Sequence, residues 1–587
     1  MPVRSGIPIA ACIAPDPPLN VSRTVQYPCY IREVIAHAGL CCDEVAPADL
    51  LEQLPSLRVL VTAGDLVLSG AQSDALRAWA ARGGCWLAIG GACGLPDLFG
   101  VVLEQPAYSS WGGGPCNLGE GYLVPDADLF GGPGAPPCPL PLHFFGGLAV
   151  RVAGGEARAS VLTAHQRPSE RAGVVDCRSG GGMCRLIAVD IMGAIVRIQQ
   201  GTAITRDGVP APDGTSPVGD GVLKSDDGAV LDWTFDRQPV PGVPGFSAFL
   251  HPIADLWREL LLHSLFDLAQ AAGVALPLLW LYPDDLPAIG HMSHDTDNNG
   301  PEEAGLLLAT LDEAGIRSTW CVIEPGYPAD VMEAIRGRGH ELAMHYDAMS
   351  DGRPWGEQEF ERQWRALVAL FGGERPVANK NHYLRWEGDT EFYTWCERRG
   401  IQLDESKGAS KTGEAGLNFG TCHPYFPVAP DGAPHDVLEL ATQTQDIHVF
   451  APPELLDPLL AAALRHHGVL HLLFHPAHIR TAGVAEALTG IVSKSRDLGL
   501  EWWTSAQVNQ WERARRMAVW RDYEPTDAGA TVALDTPEPL PGAMLLWLMP
   551  KAAPQLPGTV VRWGRRFMSM PLHDPTTAPP TGDASCD

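Results

Sequence analysis

Between residues 287 and about 512 the chain alternates short apolar runs with longer amphipathic stretches. AIGHMSHD is strand-like, and PEEAGLLLATLDEAG, which follows it, has the apolar spacing of a helix. Pro301 stands at a predicted helix start and glycines stand at predicted helix ends, as is typical of helix boundaries. Six or seven of these units in a row predict an irregular (β/α)6–7 barrel, with its chemistry at the carboxyl ends of the strands.

Residues from about 20 to 100 alternate in the same way over a shorter distance. LRVLVTAG and CWLAIGG indicate buried strands, and YIREVIAHAGL and AQSDALRAWAARGG indicate helices, which predicts a doubly wound α/β domain. Residues 102–250 are rich in Gly and Pro and add further strand-like runs, as does the tail after residue 516. We therefore predict an α/β multidomain protein with an α/β domain over 1–275, a barrel over 276–515, and a small β domain with a frayed tail over 516–587.

The net charge and the cysteine content restrict the expected binding partners and the expected cellular compartment. The chain has 587 residues, and its 70 acidic and 42 basic side chains give a net charge of −28 without a long basic run, so nucleic acid and anionic membranes are poor partners. It has no apolar run long enough to span a bilayer and no secretion signal. Its 14 cysteines form no C-x-x-C pair, which predicts reduced thiols and a cytoplasmic protein.

The turn GGACGLPDLFG follows one of the N-terminal strands and places Cys93 where a strained nucleophile elbow would hold it. The order of elements and this turn resemble glutamine-amidotransferase-like domains. Leu95 stands where the motif has its last glycine, and no H-x-E partner follows. The resemblance therefore implies a structural or binding domain, through which copies of the chain could self-associate.

Acidic and imidazole side chains recur at the ends of predicted barrel strands. They are Asp295 and Asp297 in SHDTDNNG, His345 in HELAMHYD, His382 in NKNHYLRW and His475 in LLFHPAHI. Asp and Asn also cap helices, so one such pair alone indicates little. Their recurrence at several strand ends predicts one shared pocket, and carboxylate with neutral imidazole suits Zn²⁺ or another borderline divalent ion.

Several of these segments resemble, in order, the motifs of the polysaccharide deacetylase superfamily (NodB homology, carbohydrate esterase family 4). The segments are SHDTDN, GHELAMHYD, GIQLDES, GTCHPYFP and LLFHPAHI, within residues 287–512. The resemblance implies that Asp295 is the general base, Asp297 and His345 are metal ligands, and His475 is the general acid. It also implies that metal-activated water attacks the acetyl carbonyl of an N- or O-acetylated glycan.

Met349 departs from the family pattern, because it stands where the H-x-x-x-H motif has its second histidine. A thioether is a poor ligand for a borderline ion. His382, on the next strand, is the first choice for the third protein ligand. Asp347, two residues after His345, and His423 in GTCHPYFP are the alternatives.

Five side chains beside the motifs offer the apolar faces and hydrogen-bonding groups that a sugar requires. They are Asn298, Tyr346, Arg385, Trp386 and Tyr425, and Arg385 is also a candidate for orienting the base. The leading hypothesis is a metal-dependent carbohydrate deacetylase. A carbohydrate-binding scaffold with an impaired site, and a hydrolase of a non-sugar amide, are the alternatives.

Overall fold

The computed structural model describes residues 4–15, 25–104, 117–130, 138–215, 219–526, 529–551, 556–572 and 576–577. The chain divides into two compact units. Unit 1 comprises residues 1–196, 256–285 and 514–587, and unit 2 comprises residues 197–255 and 286–513. Unit 2 thus takes in a segment that the sequence analysis assigned to the first domain, and the C-terminal tail belongs to unit 1. The division at residues 276 and 516 stays a prediction.

Unit 2 is built on a parallel sheet whose central strand, Ile289–Asp295, is buried at every position. A run buried on both faces is typical of parallel sheets covered by helices. Only residues 440–443 separate the two edge strands in sequence, so the sheet curls back toward itself as a barrel does. In spatial order the strands are Leu438–Glu439, Leu403–Asp404, Ala378–Asn381, Glu341–Tyr346, Thr319–Ile323, Ile289–Asp295, Val469–Leu473 and Thr444–Gln445, and Glu501–Trp503 also pairs with Ile289–Asp295.

Helices connect these strands, as the alternating pattern predicts. The first begins at Pro301, where a backbone N–H would have no partner within the helix, and is capped after Ala314 by Gly315, which has a φ of 67°. The helices of the barrel are Pro301–Ala314, Ala329–Gly337, Glu357–Leu370, Glu391–Arg399, Leu456–His466, Val484–Asp497 and Ser505–Arg516. Since all strands run parallel, their carboxyl ends share one edge of the sheet.

In its described residues the segment 197–255 contributes two short strands, Gln238–Pro239 and Ser247–Ala248, and it pairs through its backbone with the barrel loops. Ile204 pairs with Gly388, Lys224 with Arg385, and Phe249 with Gly416. The segment therefore packs along the loop that follows the strand Ala378–Asn381.

Unit 1 contains a second sheet of nine strands, parallel on one side and antiparallel on the other. In spatial order these are Asp43–Glu44, Ile9–Ile13, Val59–Ala63, Cys85–Ile89, Gly182–Ile187, Pro168–Ser179, Glu156–Thr163, Gly121–Pro125 and Leu142–Phe144. Its helices are Ile31–His37, Leu50–Gln53, Gly70–Ala81, Ile191–Gln200 and Ile253–Ala271, the last two continuing into or out of unit 2.

Unit 1 also contains smaller sheets, two of which include strands from the tail of the chain. One sheet orders Pro277–Leu279, Met544–Leu548, Arg565–Pro571 and Thr559–Arg562, so a strand that precedes the barrel pairs with strands that follow it. The others are Val519–Thr526 with Gly529–Asp535 and Thr576–Thr577, and Val101–Leu103 with Val150–Val152. None of the helices in the described ranges is long and apolar enough to cross a membrane.

Candidate metal centre and active site

Three predicted side chains, Asp297, His345 and His382, converge at the carboxyl edge of the barrel sheet. His345 ends one strand, His382 follows the neighbouring strand, and Asp297 lies just beyond the central strand with a φ of 28°. His345 Nε2 lies 3.3 Å and His382 Nε2 lies 3.7 Å from Asp297 Oδ1. All three groups can direct a ligand atom to a common point.

The two imidazoles are already oriented for such a role. His345 Nδ1 lies 2.9 Å from the Lys380 carbonyl oxygen, and His382 Nδ1 lies 3.0 Å from Asp347 Oδ1. Because both partners accept hydrogen bonds, each Nδ1 is a donor, and Nε2 is then the nitrogen that carries the lone pair in the neutral imidazole. Metal-bound histidines in proteins have this arrangement, with the second nitrogen held by a carbonyl or carboxylate.

Asp347 and His423, the alternative third ligands, are engaged elsewhere. Asp347 accepts hydrogen bonds from the backbone N–H groups of Met349 and Ser350 and from Arg353, besides its contact with His382. Burial alone would raise the pKa of Asp347, but the His382 and Ser350 hydrogen bonds lower it overall. His423 Nε2 contacts the His466 carbonyl oxygen, 3.0 Å away. Asp347 therefore holds the His382 ring through its Nδ1 atom and leaves Nε2 to face Asp297.

Asp295, the predicted base, is 3% exposed and lies beside the cluster. Its Oδ2 is 3.8 Å from His345 Nε2 and 3.9 Å from His475 Nε2, and its Oδ1 is 3.8 Å from Lys380 Nζ. The cation nearest the base is thus Lys380. The Arg385 guanidinium instead contacts Glu387. Sequence reasoning missed Lys380, although a lysine inside a short buried strand was itself a signal.

His475, the predicted acid, forms a pair with Asp446, which sequence reasoning also missed. Asp446 accepts the His475 backbone N–H at 2.7 Å and contacts the ring at Nδ1, while Nε2 lies 3.6 Å from Asp297 Oδ2. Burial opposes protonation of His475, but the charge of Asp446 outweighs it and raises the pKa of His475 to about 10. The pair keeps the imidazole protonated and aimed at the cluster.

A fully buried polar network lies behind Asp295. Lys380 Nζ donates to Ser293 Oγ at 2.6 Å and lies 3.3 Å from Glu405 Oε2, while His291 and His471 contact the two oxygens of Glu405 at 3.0 and 3.3 Å. Burial would lower the pKa of Lys380, but Asp295 and Glu405 raise it overall. A buried ammonium between two carboxylates is well compensated, so it holds both in place.

Four groups of side chains in the described part of the chain have metal-ligand geometry, and their chemistry distinguishes them. In the His291–Glu405–His471 group the Lys380 ammonium already supplies the cation. The carboxylate of the Asp255–Cys422–His423 group accepts hydrogen bonds from Thr421 and Cys422, and that of the Asp446–His475–His478 group holds His475. The Asp297–His345–His382 cluster, like the His291–Glu405–His471 group, presents two supported imidazoles to one carboxylate, but Asp297 is partly exposed and, among the described residues, its ion pairs are with histidines and not with a lysine or arginine, which fits a divalent ion.

The five residues predicted to contact substrate differ in how far they are buried. Tyr346, Trp386 and Tyr425 are fully buried; the first two pack in the barrel core, and Tyr425 donates to the Gln199 carbonyl oxygen. Substrate contact by these three rings would require them to be uncovered. Asn298 is exposed beside Asp297, and Arg385 is bound to Glu387.

Cys93 in unit 1 lies on a tight turn after the strand Cys85–Ile89, with a φ of 51°. Its N–H donates to Asp65 Oδ1 at 2.7 Å, and its thiol is 3.9 Å from Thr62 Oγ1. The residue is 2% exposed, and burial raises the pKa of the thiol to about 12. The turn thus has the shape of an elbow, but its thiol is neutral and covered.

Comparison with solved structures gave partial similarities. A polysaccharide deacetylase from Mycobacterium smegmatis is 19% identical, with a TM-score of 0.32, over 41% of this chain and 94% of that chain. The allantoinase PuuE is 14% identical, with a TM-score of 0.30, over 39% and 91% of the two chains. A β-galactosidase from Bacillus circulans sp. alkalophilus is 12% identical, with a TM-score of 0.24, over 32% and 29%.

A polysaccharide deacetylase is thus among the proteins to which this chain is similar, as the motifs predicted. No family model matches the chain, and no curated protein does. The similarities are too distant to assign a reaction, so the proposed function rests on the side chains of unit 2.

Proposed function

We propose that unit 2 is a metal-dependent hydrolase that removes acetyl groups from an N- or O-acetylated carbohydrate. One observation carries the proposal: the three-donor cluster, the carboxylate of Asp295 and the His475–Asp446 pair meet at one edge of the sheet. The five motifs quoted above, which occur in family order, support it.

Asp297, His345 and His382 would hold the ion, and two imidazoles with one carboxylate favour Zn²⁺. When bound, the ion supplies polarisation of the acyl carbonyl and activation of water. Three protein donors leave coordination positions open for substrate, as in catalytic zinc sites. In this set of ligands, His382 from the next strand provides the third donor in place of the histidine that is missing at Met349.

Asp295 accepts the proton of the attacking water, and His475 donates one to the departing amine or alkoxide. The two groups need opposite protonation states at the same pH. Lys380 Nζ lies 3.8 Å from Asp295 Oδ1, and Asp446 beside His475 favours the imidazolium. The environments of the two side chains therefore match the roles proposed for them.

For unit 1 we propose a structural or binding domain of the amidotransferase-like type, through which the chain could self-associate. The neutral, covered thiol of Cys93 supports a domain without amidotransferase activity.

Metal removal tests the proposed reaction. Protein stripped with a chelator should release no acetate from N-acetylglucosamine oligomers, because nothing then polarises the carbonyl, and added Zn²⁺ should restore release. Acetate is measured by an enzyme-coupled assay. Acetate release by metal-free protein would contradict metal dependence. Ring opening of a cyclic amide without acetate release would favour the non-sugar amide hydrolase, and metal binding without turnover would favour the scaffold.

The Asp347→Asn substitution should lower the affinity for Zn²⁺ about 10- to 100-fold, the usual cost of losing a carboxylate behind a metal-bound histidine. The amide weakens both the orientation and the basicity of His382, whose Nδ1 lies 3.0 Å from Asp347. Zn²⁺ affinity is measured by competition with a chromophoric chelator. The control is Asp351→Asn, an exposed acid on the same turn. Equal affinities in the two variants would contradict the support role of Asp347.

A further inference from the structure

Tyr383 is an exposed aromatic side chain directly beside the cluster. It follows His382 in the chain, and the centroids of the two rings lie 6.3 Å apart at an interplanar angle of 77°. Its exposed fraction is 49%, and among the exposed large hydrophobic side chains in the described ranges it is the one aromatic. A ligand larger than an acetyl group that reached His382 would therefore meet this ring.

The backbone fixes the ring in this exposed position. Tyr383 and Leu384 have φ angles of 63° and 50°, a left-handed conformation that residues other than glycine rarely adopt. Hydrogen bonds within the loop hold it: Asn381 Nδ2 donates to the Arg385 carbonyl oxygen at 3.1 Å, and Arg385 N–H donates to that of His382 at 3.1 Å. Leu384 is 1% exposed, so the turn buries Leu384 and presents Tyr383. Such strained loops concentrate at ligand-binding sites.

The segment 197–255 supports the ring with a cation. Lys224 Nζ lies 4.6 Å from the centroid of the Tyr383 ring, the Lys224 side chain is 1% exposed, and its ammonium is paired with Asp220. Lys224 also pairs through its backbone with Arg385, and the Leu223 carbonyl oxygen accepts the N–H of Trp386. A buried ammonium against an aromatic ring restricts the ring's orientation.

We propose that Tyr383 is a stacking platform for a saturated sugar ring whose acetyl group reaches the Asp297–His345–His382 cluster. The inference rests on the proposed function and adds a substrate class to it: a cyclic sugar with an apolar face. An aromatic ring provides that face with a partner. Tyr346, Trp386 and Tyr425 are buried, so Tyr383 supplies the aromatic contact that the sequence analysis assigned to them.

Substitutions at Tyr383 separate binding of the ring from the chemistry. With an N-acetylglucosamine oligomer, Tyr383→Ala should raise KM about three- to tenfold, the range expected for loss of one stacking contact, and should leave kcat nearly unchanged. With N-acetylethanolamine, which has no ring, it should change neither constant. Tyr383→Phe should keep the wild-type KM, and Lys224→Met should give an intermediate value. The matched control is Leu306→Ala, which removes another exposed apolar side chain of unit 2.

Binding to the catalytically blocked Asp295→Asn protein, loaded with Zn²⁺ and titrated with the same oligomer by calorimetry, tests the platform without turnover. Adding Tyr383→Ala should weaken this binding by the same factor, while Zn²⁺ affinity and the circular dichroism spectrum stay unchanged. An unchanged oligomer affinity, or no oligomer binding before the change, would overturn the platform. Absence of acetate release by the wild-type protein would instead overturn the proposed function, and the titration would still decide the role of Tyr383.

Discussion

Replacing His382 with alanine should lower the affinity for Zn²⁺ more than the roughly 10- to 100-fold that follows from losing a supporting carboxylate. The substitution takes away one of three donors and leaves Asp347, a buried carboxylate, without the ring it contacts. We expect acetate release to fall in parallel at Zn²⁺ concentrations that saturate the wild type. Competition with a chromophoric chelator gives the affinity.

The control for this substitution is His165→Ala, which removes an exposed histidine of unit 1 and should leave Zn²⁺ affinity unchanged. If His382→Ala binds Zn²⁺ as tightly as the wild type, His382 is not a ligand, and the proposal that it replaces the histidine missing at Met349 fails. A loss confined to turnover would point to a substrate contact instead.

The barrel and the positions of its polar side chains could be predicted because both follow from local pattern. Short apolar runs between helical stretches specify parallel strands, and parallel strands bring their carboxyl ends to one edge. Asp295, Asp297, His345, His382 and His475 each lie at or just after the end of a strand, so their convergence in space follows from the topology.

Lys380 and Asp446 could not be predicted in the same way, because the role of each depends on its partner. A lysine in a buried strand is accounted for only when Asp295 and Glu405 are seen on either side of it. Asp446 lies in a loop with no motif of its own, and its contact with His475 joins residues 29 positions apart. Both effects are electrostatic and long-range in sequence.

For the aromatic residues, the sequence predicted which ones lie near the site but not which ones are buried. Tyr346 and Trp386 stand next to motif residues in the chain, yet successive side chains of a strand point to opposite faces, and Tyr346 points into the core. Tyr383, by contrast, is presented by a left-handed turn at a residue that is not glycine. Neighbouring positions in sequence therefore predicted proximity to the site but not the direction of the ring.

Local sequence patterns also do not show which unit each connecting segment joins. Residues 197–255 carry few apolar runs, and they join unit 2 through isolated backbone pairs such as Ile204 with Gly388. Such contacts leave no periodic signal. The tail pairs with Pro277–Leu279, more than 200 positions earlier, which local patterns do not record either.

Asp295→Asn should reduce kcat for acetate release about 10²- to 10⁴-fold, the range expected when a general base is removed. The amide has the size of the carboxylate, so the buried position should stay packed, but it cannot accept the proton of the attacking water. Asp295 Oδ2 lies 3.8 Å from His345 Nε2 and outside the three-donor cluster, so Zn²⁺ affinity should change little. Steady-state kinetics and the chelator competition are measured on the same preparation.

The two measurements together decide between a base and a ligand. Loss of kcat with unchanged Zn²⁺ affinity is the signature of a base, because proton transfer fails while the ion stays bound. Joint loss of both would assign Asp295 to the metal instead, and an active Asp295→Asn protein would remove it from the mechanism. Lys380→Met provides the matched comparison: it removes the cation 3.8 Å from Asp295 Oδ1 and keeps the backbone carbonyl oxygen that His345 Nδ1 contacts. Zn²⁺ affinity should therefore stay near the wild-type value, whereas kcat should fall because Lys380 no longer helps to position Asp295.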